Sequence, residues 1–174
     1  MEILRELPPN ENIVQLRYYR TEPEPEDDDN RLLTLFMDYL PSNLHHVIQE
    51  HATGLPLSLI QIYTQQLLGG LQHLAEHNIV HRDLLPRNIL IDPDTKSLKL
   101  ADFGCAKIIT SDSPNHPTVG TYQYRAMELL FGATIYNSKA GTSLNDFYLQ
   151  VRYLVCRGCH FRDDFWKISF CGYI

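Results

Sequence analysis

His81-Arg82-Asp83-Leu84-Leu85-Pro86-Arg87-Asn88, followed by Asp102-Phe103-Gly104, is the stretch whose reading decides the fold. Asn88 stands five residues after Asp83, and Asp102 comes one strand-turn-strand later. Asn88 to Ile91 and Leu98 to Ala101 are apolar runs of strand length, and Asp92-Pro93-Asp94-Thr95 between them has the chemistry of a turn. Taken singly, each polar residue has a bland reading: an aspartate in a turn, an asparagine at a strand end. Together they supply a carboxylate able to orient a hydroxyl group and two oxygen donors of the kind a hard divalent cation prefers.

Outward from this stretch, Leu57 to Asn78 is the clearest helix, with Leu59, Ile62, Tyr63, Leu67, Leu71 and Leu74 at helical spacing and Asn78 suited to its end. Ile79-Val80 reads as a short strand. Upstream, residues 2–7 read as the end of a helix stopped by Pro8-Pro9-Asn10. Ile13 to Arg20 and Leu32 to Leu40 read as two strands. Thr21 to Asn30 is a polar, proline-broken acidic loop that joins them as a solvated hairpin connection. Asn43 to Glu50 reads as a short helix. Downstream, Thr110 to Thr121 is a loop rich in Ser, Pro and Thr, and Ala126 to Phe131 is helix-like. Leu144, Phe147, Tyr148, Val151, Leu154 and Val155 fit one more amphipathic helix, and Cys156 to Ile174 has no clear period.

With 174 residues the chain can bury one core. A formal net charge of -6, from 15 basic and 21 acidic residues, gives no electrostatic case for a nucleic acid or an anionic membrane as partner. No stretch is long and apolar enough to span a bilayer, and Met1-Glu2-Ile3-Leu4-Arg5-Glu6 does not read as a signal peptide. The expectation is a cytoplasmic or nuclear protein whose four cysteines are thiols.

From Ile3 to about Ala140 the chain resembles the CMGC group of Ser/Thr protein kinases, and within it the glycogen synthase kinase (shaggy) family. The residues that carry the resemblance, beside the two motifs above, are Asn12-Ile13-Val14-Gln15-Leu16-Arg17-Tyr18, Met37-Asp38-Tyr39-Leu40-Pro41, Asp92-Pro93-Asp94-Thr95, Leu98 to Lys107, and Tyr124 to Thr134. The resemblance implies an α+β fold: the mostly helical core of a kinase large lobe plus the last strands of the small lobe. It implies ATP and Mg²⁺ as cofactors and a protein hydroxyl as substrate. Asp83 would be the catalytic base, with Thr121 reaching it from the substrate-binding segment, and Asn88 and Asp102 would hold the metal. Met37 would be the gatekeeper, Asp38 and Leu40 would offer backbone groups to adenine, and Leu90, with Val14 nearby, would lie under the ring. His81 and Phe103 would stack in a spine with Leu4 and Leu16. Arg82 and Lys107 match two basic residues that hold the phosphate of a primed substrate.

The chain also departs from that pattern. Leu85 stands where Ser/Thr kinases carry a catalytic-loop lysine, and leucine offers neither charge nor hydrogen bond to a transferred phosphoryl group. Thr118 falls at the family's activation-loop tyrosine, and Ala126-Met127-Glu128 replaces Ala-Pro-Glu. The Gly-rich loop, the strand-three lysine and the helix-C glutamate fall before Met1, and Glu2 does not take the glutamate's place. The expected organisation is therefore a partial kinase domain over residues 1–140 and a divergent tail over 141–174 that lacks the family's scaffold-docking surface. The tail has the texture of a truncated, misspliced or misread product. Catalytic silence, with the chain acting as a pseudokinase or binding module, is the competing expectation. Cys156-Arg157-Gly158-Cys159-His160 in the tail matches a haem-attachment string and, with Cys171, a zinc set; its setting argues against both.

Overall fold

The computed structural model describes residues 2–24, 27–51, 54–110, 119–122 and 131–132. Side chains of residues 24–30 fall outside that description, as do Thr118, Met127 and Glu128, the expected helices after Tyr122, and the Cys156–His160 string.

The described residues form the expected α+β arrangement. In chain order they give α1 (Glu2–Glu6), β1 (Leu16–Glu24), β2 (Asp27–Met37), β3 (Ser42–Asn43), α2 (Leu44–Glu50), α3 (Leu57–Glu76), β4 (Ile79–Val80), β5 (Ile89–Asp92), β6 (Ser97–Leu100) and β7 (Lys107–Ile108). Short 3₁₀ turns at Pro86–Asn88 and Phe103–Cys105 carry the motif residues. The strands make three small sheets: the antiparallel β1-β2 hairpin, β3-β5-β6, and β4-β7.

Helix α3 organises the core. Ile60, Tyr63, Leu67, Leu71 and Leu74 are buried along one face, together with Ile89, Ile91, Leu98 and Leu100 of β5 and β6 and Leu44, Val47 and Ile48 of α2. Leu59 and Ile62, expected on that face, pack at its margin and are only half-buried. The helix ends where Asn78 adopts a left-handed φ of 55°, a conformation asparagine tolerates better than most residues. Helix α2 starts one residue later than expected because Asn43 is its cap: its Oδ1 accepts the His46 amide at 3.0 Å.

Other expected boundaries move as well, and β2 ends at Met37 rather than Leu40. Ile13 and Val14 do not begin the first strand. Leu100 donates its amide to Asn12 O at 2.8 Å, and Val14 donates to Leu100 O at 2.9 Å, so this segment lies along β6 as a parallel bridge. Burial of Ile13 and Val14 against the core favours that place over the exposed hairpin. The acidic loop is also shorter than its composition suggests. Backbone pairing runs out to Glu24 opposite Asp27, through a register irregularity at Pro23. Ladder pairing here overrides the weak strand propensity of Pro, Glu and Asp.

Asn12 ties this segment down. Its Nδ2 donates to Leu98 O at 3.2 Å and to Gln66 Oε1 at 3.3 Å, while Gln66 Oε1 also accepts the Leu98 amide at 2.7 Å. The approach is close at Gly70, where a Cβ would stand 3.0 Å from Asn12 O and 3.1 Å from Leu100 Cδ1, tight contacts that the neighbours would have to relieve. No helix among the described residues is long and apolar enough to cross a membrane.

Leu67, 0 % exposed, should be the costly position of α3. Leu67→Ala is expected to lose about 2–5 kcal/mol in urea unfolding, whereas Tyr39→Ala, at a surface site, should stay within about 0.5 kcal/mol. Equal effects would show that α3 does not centre the core.

Candidate active site

The 3₁₀ turn Pro86–Asn88 is pinned from below by buried Leu84 and Pro86 and closed by the Asn88 amide donating to Leu85 O at 2.9 Å. These anchors leave Asp83 half-buried at the surface of the loop. Its Oδ1 accepts two bonds from Thr121, the amide at 2.9 Å and the hydroxyl at 2.8 Å. Asn88 Nδ2 donates to Asp83 O at 2.9 Å and, more weakly, to Oδ2 at 3.4 Å. Asp83, Asn88 and Thr121 are thus brought together. A carboxylate has about four acceptor sites, so Oδ2 keeps capacity for a further hydroxyl donor.

Asp102 follows β6. The Ala101 amide donates to Asn88 O at 2.9 Å, extending the β5-β6 ladder by one step and setting Asp102 just beyond Asn88. Asp102 is exposed, has a left-handed φ of 61°, and its Oδ1 accepts the Gly104 amide at 3.2 Å. Asn88, donating through Nδ2, keeps its amide oxygen as an acceptor. An amide oxygen and a carboxylate one ladder step apart are donors that suit Mg²⁺.

His81 lies beneath the site, fully buried. Its Nε2 stands 2.9 Å from Ala101 O, and a carbonyl only accepts, so Nε2 carries the proton. Nδ1 has no hydrogen-bond partner among the described residues. Burial pushes the imidazole pKa below its ordinary value, against the opposing pull of the Ala101 bond and of the Asp83 and Asp102 charges. The ring packs on Phe103 with centroids 4.9 Å apart, as the spine reading requires. Leu4 and Leu16, its other expected members, line a cavity of about 190 Å³ beside α1.

Arg82, with φ 63°, donates its Nε to Cys105 O at 2.6 Å. Lys107 pairs in register with Val80, two residues before Arg82, so the two residues lie close along the backbone of the β4-β7 pair. Met37 closes β2 and is 40 % exposed, Leu40 is buried, and Val14 is buried against β6. Leu90 sits on β5 opposite Lys99.

Asp38, expected only for its backbone, uses its carboxylate heavily. Lys99 Nζ lies 2.8 Å from Oδ2, Arg17 Nε 2.6 Å from Oδ1, and the Gln15 amide 3.3 Å from Oδ2. Burial alone would raise its pKa, but the bonds from Lys99, Arg17 and the Gln15 amide outweigh it and hold the carboxyl below its ordinary value. Sequence reasoning missed Lys99 here because no local pattern links residues 61 positions apart. It also missed Gly120, whose φ of 76° and approach to the Arg82 carbonyl exclude a Cβ.

A carboxylate on the loop after β4, two oxygen donors across the β5-β6 hairpin, and a linker between β2 and β3 are arranged as in the core of a protein kinase fold. The protein kinase domain model matches residues 1–147, and the chain belongs to the protein kinase family. It is 37 % identical over 132 residues to "Glycogen synthase kinase 1" of Pyricularia oryzae, covering 74 % of this chain and 33 % of that protein. The chain therefore spans about a third of the length of that relative.

Two expectations follow. Gly120→Ala should draw Thr121 away from Asp83 and destabilise the segment by about 1–3 kcal/mol, the cost of a left-handed non-glycine residue, read as a lowered melting temperature. For His81, the unfolded state binds more protons below its ordinary pKa, so stability is complete above about pH 6.5 and falls as the pH drops below it. Urea titrations from about pH 7 to 5 should show a shallower loss for His81→Gln than for the parent chain.

Proposed function

We propose that this chain carries the ATP- and Mg²⁺-dependent phosphoryl-transfer centre of a protein serine/threonine kinase. The observation that carries the reading is the Asp83 carboxylate, fixed through Oδ1 by Thr121 and flanked at Oδ2 by Asn88, with Asp102 one ladder step away. In it, Asp83 Oδ2 receives the proton of a serine or threonine hydroxyl as the hydroxyl oxygen bonds to the γ-phosphorus of ATP and the bond to the β-γ bridging oxygen breaks. Asn88 and Asp102 would hold Mg²⁺, which when bound would offset phosphate charge. Adenine meets the Asp38 carbonyl and the Leu40 amide, with Met37, Val14 and Leu90 around the ring. Arg82 and Lys107 receive a phosphate already on the substrate. The name of the relative supports a glycogen-synthase-kinase-like substrate class.

Leu85 favours a second reading, nucleotide binding without transfer. Its backbone closes the catalytic turn, but its side chain cannot stabilise charge on a moving phosphoryl group.

Transfer of labelled γ-phosphate to a basic protein, measured beside Asp83→Asn, separates the two. Under the first reading the parent exceeds Asp83→Asn, and Leu85→Lys raises the rate further, by up to about 10²-fold, the scale of one transition-state donor. Under the second, parent and Asp83→Asn are equal, while Mg-ATP at about a hundred times its dissociation constant still adds roughly 2.7 kcal/mol to stability. No transfer and no nucleotide-dependent stabilisation would refute both.

A further inference from the structure

We propose that the Asp38 side chain is a positioning residue: its ion pair with Lys99 latches the linker after β2 onto β6 and so presets the backbone groups that face the nucleotide. The purpose assigned to the latch rests on the nucleotide reading above.

The linker has few restraints of its own. The Asp38 amide donates to Gln15 O at 3.1 Å, and the chain then passes exposed Tyr39 before Leu40 buries. The carboxylate adds what the backbone lacks. Oδ2 accepts the Gln15 amide and Lys99 Nζ, and Oδ1 accepts Arg17 Nε. One side chain therefore joins the start of the β1-β2 hairpin, the linker and β6.

The partners differ in weight. The Arg17 side chain is 64 % exposed, and a solvated ion pair contributes little. The Asp38 and Lys99 side chains are only 10 % and 21 % exposed, so this half-buried pair is screened by water less than the Arg17 pair. Lys99 is also well placed to transmit position. It is the register partner of Leu90 and precedes Leu100, whose amide and carbonyl hold Asn12 and Val14. Two residues beyond Leu100 stands Asp102. The latch thus references the adenine-facing linker to the strand that delivers the metal-facing carboxylate. A preset linker binds its ligand without first ordering itself.

The test uses the full chain, its Asp38→Asn and Lys99→Met variants, the double variant, and Lys99→Arg. Amide hydrogen exchange at residues 36–40 reads the latch, and titration with adenosine and with Mg-ATP reads its purpose. Each single loss variant is expected to speed linker exchange and weaken adenosine binding by roughly tenfold, the scale of one charge-assisted hydrogen bond. Exchange in α3 should stay unchanged. The double variant should be no worse than either single one, because the two residues act as a unit. Lys99→Arg should restore linker protection. Variants that melt lower yet keep parental linker exchange and adenosine affinity would overturn the latch and leave a structural ion pair. Binding of neither adenosine nor Mg-ATP by the parent chain would sink the nucleotide reading, whereas linker exchange would still decide for or against the latch.

Discussion

Strand β6 is hydrogen-bonded along both edges, and the rest of the described structure depends on it. On one side it pairs with β5 from Ser97 to Leu100. On the other, Leu100 exchanges bonds with Asn12 and Val14, and Asn12 reaches across to Leu98. Its inward side chains, Leu98 and Leu100, enter the α3 core with almost no exposure. A short strand satisfied on both edges and buried on one face has little freedom to slip, because a one-residue shift would expose its apolar set. The candidate site residues are attached to that fixed object: Asp102 just past its end, Lys99 on its outer face, and Asn88 just before the strand beside it.

Backbone strain gathers at the same place. Arg82, Asp102 and Gly120 all have left-handed φ values, and two of the three carry a Cβ. Such conformations persist only where neighbouring contacts over-determine them. Here the contacts are visible: Arg82 is held by Cys105 O, and Asp102 by the Gly104 amide. Around these positions His81, two residues before Asp83, and Phe103, one residue after Asp102, stay buried, while Asp83 is half-buried and Asp102 exposed.

What could be read from the sequence was what local chemistry decides. The β5-β6 hairpin announces itself through Asp92, whose Oδ1 accepts the Asp94 amide and whose Oδ2 accepts the Thr95 hydroxyl, as a turn aspartate should. The period of α3 was legible, although its inner face includes Ile60 and leaves Leu59 and Ile62 at the margin. Ile13 and Val14 misled because alternation shows that a segment is extended without showing which strand it lies beside. The acidic loop misled because composition reports side chains and pairing is a property of the backbone. Thr121 was placed beside Asp83 by family resemblance alone, since nothing near either residue indicates the other. The Asp38–Lys99 pair had no signal at all: both charges look like ordinary surface residues until β2 and β6 converge.

The two hydrogen bonds from Thr121 to Asp83 give this carboxylate an unusual ownership. The aspartate belongs to one loop, but two of its bonds come from a single residue 38 positions further on. Its orientation is therefore held jointly, like a keystone whose second abutment is built later. Asp83 is an acidic residue wherever the chain goes, yet it becomes an aimed one only once the segment from Val119 to Tyr122 has come home.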